Sequence, residues 1–328
     1  MPSPSTWGGS EIHTGASIGI AIYGADAADA ETLLSNADVA LYRGKAEGRG
    51  RYRFFTEAMD NEVQSRVNLG AELREAIDAG QLFLMYQPQV AIADGRISGV
   101  EALLRWRHPE RGVLSPGLFI PIAERIGIIG RLGHWVLWAA CRQARLWLDA
   151  GLAPVRIAVN VSALQFKASI ALEADVAATL QETGLPPHLL ELELTETVLM
   201  GMARERSDAF DRLRTTGVTI AIDDFGTGYS SLEYLRRFPV ERIKIAQVFV
   251  QELETKHDDA AIVRATIGLA RELGVNVIAE GVETEAQAKL IAGWGCKEAQ
   301  GFLFSRPLSV EDATAALKAG VVRRQAPC

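Results

Sequence analysis

The chain has 328 residues, of which 48% are apolar and 23% charged, so it can bury a sizeable core and is not disordered. Its net charge of −7 excludes a protein that coats duplex DNA or RNA, because such proteins need a basic surface to displace counterions. Three cysteines without a CxxC pair and five histidines without HxxxH spacing argue against a disulfide framework and a histidine-rich zinc site. Any metal is therefore expected to be a hard ion held by oxygen.

The first segment of the chain is short for a folded domain. An apolar strand is predicted over 16–23, a helix over 30–47 and a short strand over 51–55. Residues 1–56 are too few to bury a sheet and a helix alone, so we expect a piece of a domain. A helical linker is predicted over 57–79. No stretch is apolar enough to cross a membrane, and the N-terminus lacks the pattern of a signal peptide. We therefore expect a cytoplasmic protein.

Short apolar runs alternate with amphipathic helices from about residue 80, an order typical of a parallel sheet. The predicted strands are 82–92, 96–104, 156–161, 189–194, 219–222, 242–245, 275–278 and 298–304. The predicted helices are 133–150, 171–183, 203–215, 259–273 and 285–293. Eight strands over about 245 residues predict an α/β fold, a (β/α)8 barrel of the TIM type. The hairpin-like opening over 82–104, with Asp94-Gly95 at its turn, predicts an irregular barrel.

Polar side chains stand at the carboxyl ends of these predicted strands, where barrel active sites are built. They are Glu101, Asn160, Glu193, Asp223, Asp224, Lys244, Glu280 and Gln300. Burying several carboxylates together costs several kcal/mol each without compensation, so a ring of them implies cations.

Asp223 and Asp224 are adjacent at the end of an apolar strand and precede a glycine-rich turn. Neighbouring carboxylates can bridge two ions, as two-metal phosphoryl chemistry requires. The alternative is that the pair caps a helix beginning near Ser230. Lys244 lies in an apolar strand and needs an acidic partner. It either positions or deprotonates an attacking water, or it forms a purely structural ion pair.

Seven motifs carry a resemblance to a known family. They are EALLRW (101–106), VNVS (159–162), ELTET (193–197), DDFGTGYSSL (223–232), IKI (243–245), AEGVET (279–284) and QGFLFSRPL (300–308). In this order, over about residues 68–322, they resemble the EAL family of cyclic di-GMP phosphodiesterases. Residues 323–328 form a C-terminal tail.

The resemblance implies a function and a set of site residues. Two Mg²⁺ or Mn²⁺ ions would be held by Glu101, Asn160, Glu193, Asp223, Asp224 and Glu280, with Asp223 shared. Catalytic roles would fall to Glu101, Lys244, Glu280, Gln300 and Glu196, the last bracing the loop after Asp224. Substrate contacts would come from Gln87, Leu103, Arg105, Asp223, Glu283 and Pro307.

Family members hydrolyse one phosphodiester bond of cyclic di-GMP to linear pGpG, and many dimerise near the loop after the paired aspartates. The resemblance therefore implies cyclic di-GMP as substrate and a homodimer through the EAL domain. Ca²⁺ is expected to occupy the site and inhibit, because its looser geometry disturbs the two-metal spacing.

Two features depart from the pattern of active family members. Many members have an aspartate two residues after the lysine, where this chain has Ala246. Its loss is expected to weaken the second metal or alter the rate without abolishing activity. Residues 16–24 and 37–55 resemble the C-terminal part of a GGDEF domain, but the GGDEF signature and nucleotide-binding half are missing. We expect a fragment that cannot make cyclic di-GMP, cut from a longer protein with sensory segments or a membrane anchor upstream.

Three alternatives stay open at this point. A catalytically weak domain could bind cyclic di-GMP as a receptor, and Ala246 is its best support. A protein-interaction scaffold that ignores the nucleotide is a second. A glycosidase is a third, although Asp223, Asp224 and Lys244 suit metal–phosphate chemistry better than paired glycosidase acids.

Overall fold

The structure, a computed structural model, describes residues 5–7, 10–12, 15–46, 48, 50–167, 169–199, 208–228, 235, 238 and 240–322. The chain divides into two compact units, residues 1–75 and 76–328. The domain boundaries drawn from the sequence stay predictions. The C-terminal tail 323–328 lies outside the described residues.

The first unit is built from short strands and one long helix. Its elements are β1 (Ser5–Trp7), β2 (Ser10–Ile12), β3 (Ile18–Ile20), α1 (Ala30–Ala46), β4 (Tyr52–Phe54) and most of α2 (Glu57–Asp78). β1 pairs antiparallel with β2, and β3 pairs parallel with β4. Helix α1 crosses β3 so closely that a Cβ at Gly19 would collide with the α1 backbone.

The elements of this unit are shorter than predicted. The strand predicted over 16–23 forms only over Ile18–Ile20, and the one predicted over 51–55 forms over Tyr52–Phe54. The helix predicted over 57–79 is confirmed as α2, and its role as a linker stays a prediction. Apolar side chains remain exposed, among them Tyr23 at 71% and Tyr52 at 65%, so little of this unit is core.

The second unit alternates strands and helices. Its strands are β5 (Leu82–Ala91), β6 (Ile97–His108), β7 (Gly112–Leu114), β8 (Arg156–Val161), β9 (Leu190–Thr195), β10 (Thr219–Phe225), β11 (Arg242–Ile245), β12 (Asn276–Ala279) and β13 (Glu298–Ala299). Its helices include α3 (Pro116–Arg125), α4 (Ile129–Asp149), α5 (Ala163–Lys167), α6 (Ser169–Thr183), α7 (Asp208–Thr215), α8 (Gln247–Gln251), α9 (His257–Leu273), α10 (Glu285–Gly293) and α11 (Val310–Ala319).

Eight of these strands close into a barrel. The order is β5, β13, β12, β11, β10, β9, β8 and β6, and β6 pairs again with β5. Strands β6 and β8–β13 run parallel, whereas β5 is antiparallel to both of its neighbours. The predicted irregular TIM-type barrel is therefore confirmed, and the reversed β5 is the irregularity that the sequence indicated.

Several predicted boundaries are wrong in ways that affect the site. β10 continues to Phe225, so the paired aspartates lie in the strand and not after it. β6 extends to His108, which places Glu101 mid-strand. β13 ends at Ala299 instead of residue 304, because the chain turns at Gly301, where a Cβ would collide with the Val282 backbone.

Other differences concern the helices. The helix predicted over 133–150 runs from Ile129 to Asp149. Of the helix predicted over 203–215, residues 203–207 lie outside the described part of the chain, as does the start of a helix near Ser230.

The outer helices bury apolar stripes against the barrel. In α4 the buried positions Leu132, Val136, Leu137, Ala140 and Ala144 recur at helical spacing and face one side of the helix. That side packs on β8 and α6. Among the described residues, no helix combines the length and apolarity that a membrane crossing requires.

The barrel interior carries polar side chains in two layers, because residues two apart on a strand face the same side. We define the basal layer as Gln89, Arg156, Glu191, Arg242 and Glu298. Arg156 Nε lies 3.0 Å from Glu191 Oε1, and Arg242 Nε lies 3.1 Å from Glu191 Oε2. Both arginines also pair with Glu298. The layer is therefore charge-balanced, which a buried ionic cluster requires.

The basal layer predicts how stability depends on pH. Burial tends to raise the pKa of Glu298, but Arg242 and Arg156 outweigh it and hold the pKa below its ordinary value. The ionised carboxylate then stabilises the fold above the unfolded-state pKa, and this contribution is lost as pH falls through the lower folded-state pKa. We expect Glu298→Gln to flatten the acid side of the unfolding free-energy profile, measured by urea denaturation between pH 3 and 7. Glu252→Gln, at an exposed pair with Lys256, is the control and should leave the profile unchanged. Equal profiles for wild type and Glu298→Gln would contradict the prediction.

Candidate active site

A single buried ammonium group lies at the centre of the second polar layer. We define the upper layer as Glu101, Glu193, Asp223, Lys244 and Glu280. Lys244 Nζ lies 2.7 Å from Glu193 Oε2, 2.7 Å from Glu280 Oε1, 3.3 Å from Asp223 Oδ1 and 3.5 Å from Glu101 Oε2. The lysine side chain is 1% exposed. One positive charge therefore faces four carboxylates that come from β6, β9, β10 and the residue after β12.

Amide side chains hold Glu101 in place. Asn160 Nδ2 donates to Glu101 Oε1 at 2.7 Å, and Gln300 Nε2 donates to Glu101 Oε2 at 2.6 Å. Gln300 Nε2 also lies 3.0 Å from Gln87 Oε1, and Gln87 in turn donates to the Ser305 carbonyl at 3.0 Å. Burial acts to raise the pKa of Glu101, but Lys244 and the hydrogen bonds from Gln300 and Asn160 outweigh it and lower this pKa.

The pKa values of Glu193 and Glu280 are shifted in the opposite direction, first because these groups are buried and then because neighbouring carboxylates add negative charge. Burial, reinforced by Glu101, raises the pKa of Glu193 well above its ordinary value. Burial also raises the pKa of Glu280 to about 8, against the pull of Lys244. Burial lowers the pKa of Lys244, yet the surrounding carboxylates outweigh it and hold the pKa well above the usual range. The upper layer thus holds a firmly charged lysine and an excess of acid.

This excess of acid fits divalent cations. Carboxylate oxygens of Asp223, Asp224 and Glu280 all lie within 4.8 Å of one another. Within the described residues, the buried Glu193 Oε1 has no hydrogen-bond partner, whereas Glu193 Oε2 pairs with Lys244. An all-oxygen donor set of this kind suits Mg²⁺ or Mn²⁺. The residues present therefore fit the metal that the motifs imply.

The loop after β10 is tied to Glu196. The Glu196 Oε2 atom accepts hydrogen bonds from the backbone N–H groups of Gly226, at 3.0 Å, and Gly228, at 3.3 Å. Asp224 adopts a left-handed backbone conformation with φ 52°, and its N–H donates to Asp223 Oδ1 at 3.0 Å. This geometry agrees with the bracing role that the sequence suggests for Glu196. The rest of the DDFGTGYSSL motif lies mostly outside the described residues.

A cavity of about 300 Å³ opens above the upper layer. All six residues predicted to contact substrate line it, namely Gln87, Leu103, Arg105, Asp223, Glu283 and Pro307. Gln247, Gly281, Gly301 and Phe302 also line it, and sequence reasoning missed them. Phe302 lies inside the QGFLFSRPL motif, so its position between Gln300 and Pro307 was the available signal.

Ala246 is buried where many family members have an aspartate. Its relative exposure is 1%, and it is the N-cap of α8 with φ −57° and ψ 139°, without a side-chain cap. The Glu280 N–H donates at 3.2 Å to the carbonyl of Ile245, the residue that precedes Ala246. An acid at position 246 could therefore cap α8. Its backbone would also lie close to the backbone of Glu280.

The fold and this site define a TIM-type barrel with an acidic centre at the carboxyl ends of its strands. Residues 71–307 match the family model described as EAL domain, and the chain belongs to this family. Residues 1–51 match the model described as diguanylate cyclase, GGDEF domain.

Curated relatives carry names that describe cyclic di-GMP enzymes. The chain is 46% identical over 307 residues to MucR of Pseudomonas aeruginosa, a bifunctional diguanylate cyclase/cyclic di-GMP phosphodiesterase. It is 41% identical over 308 residues to NbdA of the same organism, a cyclic di-GMP phosphodiesterase. Each match covers 94% of this chain but only 45% of MucR and 39% of NbdA, so the chain spans less than half of either relative.

Two solved structures support the assignment of this chain to the EAL family. PaMucR phosphodiesterase in complex with c-di-GMP is 49% identical, with a TM-score of 0.72. The match covers 75% of this chain and 99% of that one. The EAL domain of DcpA from Mycobacterium smegmatis is 36% identical with a TM-score of 0.65, over 74% of this chain and all of that domain.

The acid excess predicts that divalent cations stabilise the fold. A ligand that binds only the folded state adds about 2.7 kcal/mol at one hundred times its Kd. We expect Mn²⁺ or Mg²⁺ to raise the melting temperature in differential scanning fluorimetry, and EDTA to reverse the rise. Asp224→Asn should raise the Mn²⁺ concentration that gives half of the rise in melting temperature about tenfold or more, because it removes one of three converging charges. Asp258→Asn, in the first turn of α9, is the control and should respond as wild type. A melting temperature insensitive to millimolar Mn²⁺ would overturn this account.

Proposed function

We propose that the chain hydrolyses one phosphodiester bond of cyclic di-GMP to linear pGpG, with two Mg²⁺ or Mn²⁺ ions. One observation carries the proposal: four carboxylates surround the single ammonium of Lys244 at the floor of a cavity lined by the predicted substrate contacts. The names of MucR and NbdA and the c-di-GMP complex of PaMucR support the choice of substrate.

The residues that would hold the divalent cations are Glu101, Asn160, Glu193, Asp223, Asp224 and Glu280. When bound, the two cations lower the pKa of water and offset charge on the reacting phosphate. Gln300 keeps Glu101 turned towards the centre through its 2.6 Å hydrogen bond. Glu196 keeps the backbone after Asp224 in the conformation that presents this carboxylate.

Lys244 acts in this proposal as a charged donor rather than as a base. Its pKa is held well above the usual range, so it is protonated at neutral pH and has no lone pair to accept a proton. An ammonium at this place can orient an attacking water and oppose negative charge that develops on the phosphate. Deprotonation of the water by Lys244 stays the alternative.

Arg105 is the proposed phosphate clamp. It lines the cavity, and burial lowers its pKa while Glu101 opposes that effect, so the guanidinium stays charged. A guanidinium can donate two parallel hydrogen bonds to phosphate oxygens. Gln87, Leu103, Glu283 and Pro307 complete the proposed substrate contacts.

A second candidate function is a receptor that binds cyclic di-GMP without hydrolysing it. Ala246 favours it, because an acid common in the family is missing beside Glu280. Each residue that the family resemblance assigns as a metal ligand is present, so hydrolysis remains the proposal. The homodimer, the cytoplasmic location and inhibition by Ca²⁺ stay predictions.

The primary test is turnover. Purified protein with Mn²⁺ or Mg²⁺ is expected to convert cyclic di-GMP to pGpG, followed by reversed-phase chromatography. Lys244→Ala should lower kcat at least a hundredfold, because it removes the charge that opposes developing negative charge. Glu101→Gln, which keeps the size and hydrogen-bonding shape, should lower kcat similarly, and circular dichroism should show both variants folded. Tight binding of cyclic di-GMP without turnover in any divalent metal would instead establish the receptor.

Position 246 can be tested with two substitutions of similar size. Ala246→Asp is expected to lower the Mn²⁺ concentration that gives half-maximal activity several-fold, because it restores an acid near Glu280. Ala246→Asn supplies the same N-cap to α8 without charge and should behave as wild type in this titration. Equal shifts of the half-maximal Mn²⁺ concentration in both variants would assign the position to helix capping. No shift in either variant would refute the idea that an acid is missing at this position.

A further inference from the structure

A second cavity opens at the end of the barrel opposite the active site. It measures about 810 Å³ and lies where β12 and β13 begin, at Asn276 and Glu298. The reversed strand β5 ends beside it at Ala91. Among the described residues, those that line this cavity are all different from those that line the active-site cavity. We call it the basal cavity, and it is separate from the site of the proposed reaction.

The buried part of its lining is apolar. Ile92, Ile267, Ala288 and Cys296 line the cavity, are at most 4% exposed and belong to one hydrophobic cluster. The Cys296 thiol already donates to the Glu298 carbonyl at 3.2 Å, so it does not require a polar partner from a bound molecule. The floor of the basal cavity therefore favours an apolar group.

The exposed part of the lining is cationic. Arg96, Arg271, Lys289 and Lys297 line the cavity in a chain whose net charge is −7. Arg271 lies in the last turn of α9, where a cation complements the helix dipole. Lys289 lies in the middle of α10, and Arg96 and Lys297 lie next to strands. The helix dipole therefore accounts for only one of these four cations.

The acids of the lining do not balance these cations. The acidic residues among those that line the cavity are Asp94 and Glu298. The Glu298 carboxylate is already paired with two arginines of the basal layer, and Asp94 Oδ1 accepts a hydrogen bond from the Arg96 backbone N–H at 3.0 Å. Within the described residues, no carboxylate lies within ion-pair distance of the Arg96 guanidinium or the Lys297 ammonium. A cleft with an excess of one charge concentrates ions of the opposite charge, so the rim attracts anions.

The apolar floor and the cationic rim together select a class of ligand. Arginine and lysine form their strongest hydrogen bonds with phosphate and carboxylate groups. A bare anion would leave the apolar floor unused, and a neutral hydrocarbon would leave the rim unused. The volume of the basal cavity lies within the range of small-molecule sites.

We propose that the basal cavity binds an amphipathic anion, a small molecule whose phosphate or carboxylate group meets the cationic rim and whose apolar body lies on the floor. The proposal concerns a site apart from the active site and does not depend on hydrolysis of cyclic di-GMP. A molecule bound there would contact Glu298, two residues before Gln300, the side chain that holds Glu101.

Calorimetry with matched ligands tests the class of ligand. In buffer with EDTA, octyl phosphate is expected to bind at least about tenfold more tightly than inorganic phosphate or octanol, because each of these carries only one of its two parts. Octanoate replaces the phosphate group by a carboxylate, and the tighter of the two anions identifies the preferred group. Equal affinities for octyl phosphate and inorganic phosphate would refute the apolar floor, and equal affinities for octyl phosphate and octanol would refute the cationic rim.

Substitutions on the exposed rim test the location. The double variant Arg96→Gln with Lys297→Gln should raise the Kd of octyl phosphate about tenfold or more, because it removes two charged donors. The control Arg264→Gln with Lys318→Gln removes the same two charges from exposed positions on α9 and α11 that do not line the cavity, and should leave this Kd unchanged. Ala292→Trp, which places a ring in the cavity from α10, should also raise the Kd without a change of charge.

A variant of the active site separates this inference from the proposed function. Arg105→Gln, in the active-site cavity, should leave the Kd of octyl phosphate unchanged. A rise of the Kd in this variant, or wild-type affinity in the double rim variant with an unchanged melting temperature, would overturn the proposal. Absence of octyl phosphate and octanoate binding to wild type would also overturn it. Hydrolysis of cyclic di-GMP is measured separately, so none of these results decides the proposed function.

Discussion

The ammonium of Lys244 among four carboxylates is the interaction on which the barrel interior depends. A lysine with 1% of its side chain exposed is stable only with acidic partners, and those partners come from β6, β9, β10 and the end of β12. The strands must therefore close into a barrel before the charge is compensated. One lysine does not balance four acids. The arrangement that allows the lysine charge to be buried therefore leaves excess negative charge, which divalent cations would neutralise.

The basal layer supports that centre from below. Arg242 precedes Lys244 by two residues, Glu191 precedes Glu193 by two, and Glu298 precedes Gln300 by two, so these three side chains each stand above a paired charge. Strands β11 and β13 span only four and two residues, and few backbone hydrogen bonds set their register. A shift by one residue would turn the charges outwards, and ionic pairing in the basal layer opposes that shift. Such pairing constrains the register without requiring a large net gain in stability, because the desolvation of buried charges offsets much of their attraction.

The sequence predicted the barrel and the polar residues of the site because both leave local signals. Alternating apolar runs and helices indicated the strand order, and acids that end apolar runs indicated the site. The basal layer was missed, although Glu191-x-Glu193 and Arg242-x-Lys244 repeat charge at the spacing of one strand face. Pairing between Arg156, Glu191 and Glu298 depends on strand order and register, which spacing within single strands does not show. The last strand was predicted too long, because the apolar run over 298–304 hides the close contact between Gly301 and Val282.

The segment from Gln300 to Leu308 connects the floor of the cavity to its mouth. Gln300 holds Glu101 at the floor, and Leu308 exchanges backbone hydrogen bonds of 2.9 and 2.8 Å with Tyr86 on β5. Phe302, Arg306 and Pro307 lie between these two fixed points. Because both ends are anchored to the barrel, Phe302 and Pro307 at the cavity wall are held at a fixed distance from Glu101 at its floor. A molecule that contacts both the wall and the floor would therefore be held in one orientation, and such positioning raises reaction rates. The reversed strand β5, which the sequence marked as an irregularity, is what brings Tyr86 and Gln87 beside this segment.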